Sequence, residues 1–252
     1  MTYPDDFINR VICGDCLEIM KLMPDKCVDL VLTDPPYGHN NNNGDMIANW
    51  EKIFNKSKNI GKARPIANDG VEANDLFKSC LPEYKRLLRS GSCCCCCGGG
   101  GGPDPQFARW SLWMDEVLEF KQMVVWDKGK MGMGHHYRRS YETVLVAQKG
   151  GAPCNWYAEN KSIENIIRPG DYGIKKIIPT EDQHPTEKPV ELAAHFISLH
   201  SKPGDIILDP FCGHGFALVA AKQLSRRFIG VEINRDYCKI AEQRLAQEQL
   251  DL

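Results

Sequence analysis

The stretch VDLVLTDPPYG, Val28–Gly38, decides the architecture. Its first six residues form a short run of the length and composition of a buried strand, and the run passes straight into two prolines. Those prolines fix φ and remove two amide donors, so the chain leaves the strand through a rigid loop. The Asp34 carboxylate and the intervening carbonyls are then held at a strand end, with Tyr37 beside them. A rigid set of acceptors suits an amino group that donates two hydrogens. An adjacent aromatic ring offers a planar base a surface to stack on. Taken alone, the same four residues also describe a stiff turn with a surface tyrosine.

A second strand-to-loop junction lies far down the chain. DIILD (Asp205–Asp209) runs into PFCGHG (Pro210–Gly215) and then into a helical pattern. Gly213 and Gly215 permit a tight turn and close approach to a nucleoside. The following strand, RRFIGVE, ends in Glu232, about 20 residues on, where an acidic side chain can hold ribose hydroxyls. No Gly-Lys-Ser/Thr follows, which excludes a phosphate-binding P-loop. One loop suited to an amine and one suited to a nucleoside cofactor, each at a strand's C-terminal end, point to group transfer to an amine.

Between these junctions apolar runs alternate with helical patterns, which gives an α/β fold with a mostly parallel sheet. Seven strands are expected: Arg10–Cys13, Val28–Thr33, Ser92–Cys97, Gln122–Trp126, Thr143–Gln148, Asp205–Asp209 and Arg227–Glu232. Helices are expected over Cys16–Leu22 with Asp15 as cap, Asp75–Leu88 with Asn74 as cap, Pro105–Phe120, Pro189–His200, Gly215–Leu224 and Asn234–Glu248. His39–Val71 and Lys149–Pro185 stay irregular, and loops of that length in a compact domain are commonly functional.

The run SGSCCCCCGGGGGPDP (Ser90–Pro105) fits this frame as a central strand and its loop. Cysteine is small, apolar and readily buried. Side chains alternate across a strand, so five consecutive cysteines cannot converge on one metal. Gly98–Gly102 would then lie at the sheet edge where ligands bind in open α/β folds. The spacing in CGDC (Cys13–Cys16) reads as coincidence, and the histidines show no ligand spacing.

At 252 residues the chain can bury one sizeable core, and its net charge of −2 excludes a uniformly basic nucleic-acid binder. Basic clusters at 52–64, 85–89 and 128–139 remain as local candidates. No apolar run is long enough for a membrane span. The opening MTYPDDFINR lacks a secretory pattern, so a cytoplasmic protein with reduced thiols is expected, its 12 cysteines notwithstanding.

TDPPYG (Thr33–Gly38) and LDPFCGHGFALVAA (Leu208–Ala221) together resemble the amino-methyltransferases of DNA that use S-adenosylmethionine. HPTEKPVEL (His184–Leu192), GDCLEIM (Gly14–Met20) and RRSYETVLVAQKG (Arg138–Gly150) extend the likeness over nearly the whole chain. The resemblance implies one methyltransferase domain over residues 1–252, a doubly wound Rossmann-like sheet, and the circularly permuted order of the family's beta group, catalytic motif first. It assigns the chemistry to Asp34, Pro35, Pro36 and Tyr37. It places Asp15 near the cofactor adenine and Glu232 on the ribose. Phe211, Gly213 and Gly215 shape the pocket, Asp209 meets the amino group of the methionine moiety, and Thr186 and Lys188 meet its carboxylate; no metal is implied.

The implied partner is double-stranded DNA, with the target base flipped out of the helix because its amine is unreachable in the stack. Asp at the first position of the catalytic motif favours adenine N6. Cytosine N4, or an inactive nucleic-acid-binding module of the same fold, are the alternatives. Segments 39–71 and 149–183 are the candidates for reading DNA sequence. No membrane partner is implied, and a homodimer is compatible with the permuted group.

Overall fold

The computed structural model describes residues 1–38, 66–98, 106–131, 136, 138–174 and 188–247. The strands among them are β1 (Arg10–Cys13), β2 (Val28–Thr33), β3 (Leu88–Gly98), β4 (Glu119–Asp127), β5 (Tyr141–Gln148), β6 (Ile166–Ile167), β7 (Ile206–Asp209) and β8 (Arg227–Glu232). The helices are α1 (Cys16–Lys21), α2 (Ala73–Leu87), α3 (Gln106–Val117), α4 (Val190–His200), α5 (Phe216–Gln223) and α6 (Arg235–Gln247).

All strands join one sheet in the order β1-β8-β7-β2-β3-β5-β4-β6. β1, β8, β7, β2 and β3 run parallel, and β5 is inserted antiparallel between β3 and β4. The sheet therefore has eight strands rather than the expected seven. The extra one, β6, is two residues long and pairs in parallel with β4 through Val125 and Trp126. So short a piece carries no periodicity of its own, and it lies in the stretch read as irregular. Residues 39–65 and 175–187, which include most of that first candidate DNA-reading segment and Thr186, lie outside the described residues.

β2 is buried at every position because helices cover both faces of the sheet. On one face Met20 of α1, Phe77 and Tyr84 of α2, and Trp110 and Met114 of α3 pack together. On the other, Leu192 and Phe196 of α4 meet Phe216 and Ala217 of α5. The cysteine run is the middle of β3, and it alternates as a strand must. Cys94 and Cys96 face the first cluster, whereas Cys93, Cys95 and Cys97 face the second, all five essentially buried.

Two local expectations change. Asn74 is inside α2 and does not cap it; its Oδ1 accepts from Trp110 Nε1 at 2.9 Å, tying α2 to α3. Phe120 belongs to β4 and not to the preceding helix, because Glu119 and Phe120 already pair with Gln148 and Ala147 of β5. The basic cluster 85–89 is structural. Arg86 donates to the carbonyls of Met20 and Met23 and to Asp25 and Glu83, and Arg89 pairs with the buried Asp29. Asp29 in turn accepts from Ile206 N at 2.9 Å, fastening β2 to β7 at the edge away from the loops. No described helix is long and apolar enough to cross a membrane.

Candidate active site

β2 and β7 are neighbours in parallel, with Val31 opposite Leu208. Thr33 Oγ1 donates to Asp209 Oδ1 at 2.7 Å across this pair. Both loops, Asp34–Gly38 and Pro210–Gly215, therefore leave the same edge of the sheet from adjacent strands. β8 follows beside β7 and brings Glu232 to that edge. β5 runs the other way, so its first residues, including Glu142, arrive there too.

On the amine side, the Asp34 carboxylate is held at both oxygens. Tyr37 Oη donates to Oδ1, and Lys188 Nζ lies 2.7 Å from Oδ2. Lys188 is almost wholly buried, at 7% exposure, immediately before α4. Its ammonium also sits 3.2 Å from Tyr37 Oη and 5.3 Å from the centre of the Tyr37 ring. Glu142 Oε2 lies 3.2 Å from the same ammonium, as an ion pair rather than an aligned hydrogen bond, while Lys128 Nζ contacts Oε1 at 2.8 Å. Burial raises Asp34 from its ordinary value, and Lys188 opposes that. Burial also pushes at Glu142, but Lys188 and Lys128 outweigh it and pull the carboxyl down to about 2. Burial disfavours charge on Lys188 as well, and the Asp34 and Glu142 carboxylates overcome it, holding the ammonium well above its ordinary value. The cluster is thus two carboxylates sharing one buried cation.

The loop that presents this cluster is fixed from behind. Asp69 Oδ1 accepts from Tyr37 N at 2.9 Å and Gly38 N at 2.8 Å, and Gln106 Nε2 donates to the Tyr37 carbonyl. The Tyr37 ring leans on Trp110 at 6.0 Å between centroids.

On the cofactor side, Asp209 is fully buried, and its Oδ1 accepts from Thr33 and, at 3.1 Å, from Phe211 N. Its Oδ2 is buried without a hydrogen-bond partner among the described residues. Burial pushes Asp209 up to about 7 against those two donors. Glu232 accepts from Gly213 N at 3.0 Å and Asn234 N at 2.7 Å, one bond per oxygen, and burial raises it too. Gly213 has φ +48°, and a Cβ there would meet nothing within 4 Å. Gly215, at φ +84°, caps α5, and a Cβ there would lie 3.2 Å from that of Ala241. An orphaned carboxylate oxygen, a second carboxylate with lone pairs to spare and an open glycine backbone suit a ligand with a cationic amine and hydroxyls. A nucleoside that carries an amino acid, as S-adenosylmethionine does, has those groups.

The structure thus brings Asp34, Pro35, Pro36, Tyr37, Asp209, Phe211, Gly213, Gly215 and Glu232 to one sheet edge. Asp15 is at that edge as well, just after β1, whose Cys13 pairs with Glu232. Its Oδ1 caps α1 through Leu17 N and Glu18 N. The Lys188 ammonium, expected at the cofactor carboxylate, meets Asp34 and Glu142, since a buried cation needs anions to offset desolvation. Glu142 and Asp69 were not singled out from the sequence, and Lys128 was noted only as the first residue of the basic cluster 128–139. For Glu142 the signal was available in YETVLVAQ, where a charged residue stands second in an otherwise uncharged strand.

A model of the DNA methylase family, named for N6 and N4 methyltransferases, matches residues 28–243. The type II methyltransferase M.HinfI of Haemophilus influenzae is 29% identical over 96% of this chain and 70% of its own. The DNA adenine methyltransferase YhdJ of Escherichia coli is 25% identical over 94% of this chain and 82% of its own. Among solved structures, M1.HpyAVI in complex with S-adenosylmethionine superposes with a TM-score of 0.64 at 24% identity, covering 94% of this chain and 98% of that one.

Proposed function

The chain belongs to the DNA methylase family, and from that premise we propose that it transfers a methyl group from S-adenosylmethionine to N6 of an adenine flipped out of a specific DNA sequence. The observation that carries this reading is the Thr33–Asp209 hydrogen bond of 2.7 Å, which joins the amine-gripping loop to the cofactor-type loop. When bound, the cofactor supplies an electrophilic methyl on a sulfonium, which leaves as a neutral thioether. Asp209 Oδ2 and Glu232 would hold its amino group and ribose, with Gly213 and Gly215 allowing the approach and Phe211 walling the pocket. Asp15 would face the adenine ring.

Tyr37 would stack on the flipped base. The Asp34 carboxylate and the Pro35 carbonyl would accept its two N–H hydrogens, which turns the nitrogen lone pair out of conjugation and aims it at the methyl carbon. A carboxylate has roughly four lone-pair directions. Asp34 can therefore keep Tyr37 and Lys188 and still accept from the amine. Lys188 is read here as a positioning residue that keeps Asp34 anionic in a buried site, and Glu142 as the counter-ion that keeps Lys188 there. Asp34 acts first as an acceptor, and the surplus proton leaves the nitrogen after transfer.

The adenine assignment rests on Asp34 at the head of the DPPY motif, with support from the adenine methyltransferase relative. Segments 39–71 and 149–183 are proposed to read the DNA, and the single-domain, permuted arrangement is retained. The test is to incubate the protein with labelled S-adenosylmethionine and mixed DNA and identify the modified base. N6-methyladenine is expected, with transfer lost and cofactor binding retained in Asp34→Ala. Label recovered only as N4-methylcytosine overturns the base assignment, and no label in DNA overturns the enzymatic reading.

A further inference from the structure

The cysteine strand cannot gather its own thiols round an ion, yet one of them meets ligands from elsewhere. Cys93 Sγ lies 3.3 Å from Cys154 Sγ. One ligand atom each from Cys93, Cys154 and His200 lie within 4.8 Å of one another. The three come from different parts of the chain: the midpoint of β3, the segment after β5, and the last residue of α4. The cluster is set back from the methyl-transfer edge, since β3 continues past it through Cys97 to Gly98.

We propose that Cys93, Cys154 and His200 form a binding site for a thiophilic divalent metal ion of the zinc class, with its fourth position open to solvent. Backbone hydrogen bonds preorganise the cage. Asn155 N donates to Gly91 O at 2.8 Å, which pins the segment bearing Cys154 to β3. Tyr157 N donates to Leu199 O at 2.8 Å, which pins the same segment to α4 beside His200. His200 Nδ1 is 3.1 Å from Asn155 O. A carbonyl can only accept, so Nδ1 carries the hydrogen and the lone pair lies on Nε2. A ring hydrogen given to a backbone carbonyl is the usual outer support of a metal-binding histidine. Trp156 packs edge-on against the His200 ring at 5.5 Å and limits its rotation.

The distances decide between a metal and a disulfide. Two sulfurs on a tetrahedral zinc ion stand about 3.8 Å apart, from Zn–S bonds of about 2.3 Å. A disulfide requires about 2.05 Å. From 3.3 Å, the first needs the sulfurs to part by roughly 0.5 Å and the second needs them to close by more than 1 Å. Cys154 is exposed and can yield outward, while Cys93 is held in the sheet.

The test uses the full chain, metal-free, in a non-thiol reductant, titrated with cobalt(II) and then zinc(II). One cobalt per chain is expected, with the visible bands of tetrahedral coordination and near-ultraviolet thiolate charge transfer, and zinc should displace it. Native mass spectrometry should retain one zinc. Affinity should fall at least ~100-fold in Cys154→Ser and in His200→Gln, more than loss of an outer support would cause. Cys13→Ser, which removes the other exposed thiol, should leave binding unchanged. The substitution at Cys154 is at the surface, and far-ultraviolet circular dichroism checks its fold. The proposal is overturned if cobalt gives no tetrahedral spectrum, if binding survives Cys154→Ser or His200→Gln in the folded variant, or if air oxidation yields a Cys93–Cys154 disulfide in a chain that takes up no metal. None of these readouts depends on methyl transfer.

Discussion

Replacing Lys188 by methionine tests the buried charge cluster directly. The substitution keeps most of the side chain's volume and removes only the ammonium, which leaves Asp34 and Glu142 facing each other without their shared cation. Glu142 is drawn down from 4.5 to about 2, a difference worth roughly 3 kcal/mol at neutral pH if all of it were recovered from the ions. Lys128 supplies part of that and remains. Removing one partner of a buried pair costs ~3–5 kcal/mol. The side chains of Asp34 and Glu142 keep 22% and 21% exposure, which argues for the lower end, about 3 kcal/mol. For a chain of this size that is a fall of roughly 6–12 °C in melting midpoint. The pH dependence has a definite sign. A carboxyl with a folded pKa below its unfolded value contributes stability above the unfolded pKa and loses it as pH falls through the folded one. The gap between wild type and Lys188→Met should therefore be full at pH 7 and close as pH falls from 4.5 towards 2. Thermal melts by circular dichroism across pH 3–8 measure it. Adding Glu142→Gln to Lys188→Met should restore part of the loss, because the uncompensated anion is gone. A gap under ~1 kcal/mol at pH 7, or one as wide at pH 3, would refute the shared-cation account.

Asp209, pushed up to about 7 from 3.8, gives the opposite sign: its contribution is complete below about pH 4 and is lost as pH rises through 7. Cofactor-free Asp209→Asn should therefore melt higher than wild type at pH 8 by up to ~4 kcal/mol, with little difference at pH 4, and equal melts at both would count against it. A cationic cofactor amine requires the ionised form, so calorimetric binding of S-adenosylmethionine should weaken below pH 7 in the wild type and lose that dependence in Asp209→Asn. Thr33→Val removes the 2.7 Å donor to Asp209 and should cost ~1–3 kcal/mol in a denaturant melt at pH 8, less at pH 5 where the carboxyl is protonated. Gly215→Ala places a Cβ 3.2 Å from that of Ala241 at φ +84° and should lower stability by ~1–2 kcal/mol, whereas Gly213→Ala meets open space and should cost less stability while weakening cofactor binding. Comparable melts with unchanged cofactor affinity in Gly213→Ala would show that the ligand does not approach that backbone.

What was legible in the sequence follows from where the information resides. β2, β7 and β8 each announce themselves by an apolar run that ends in a conformationally special loop or an acidic residue. Asp34, Gly213 and Glu232 could therefore be located without knowing what lies beside them. The cysteine run was readable as a strand because burial and period-two alternation suffice for that inference. Lys188 and Glu142 were different. Their meeting depends on β5 running antiparallel between β3 and β4, which turns Glu142 towards the edge where the parallel strands end. Sequence spacing carries no strand direction, and a lysine before Pro189 reads equally well as a cofactor ligand or a solvated side chain. Cys93, Cys154 and His200 repeat the point on a larger scale. Each is ordinary in its own neighbourhood, and only the packing of β3, the post-β5 segment and α4 gives them a common centre. β6 and the capping of α2 failed for a local reason, being too short or too weakly encoded for periodicity or cap preference to register. The chemistry carried by a single strand end is thus open to a one-dimensional reading, and the counter-ions that tune it are not, because electrostatic partners are chosen by proximity across the sheet rather than along the chain.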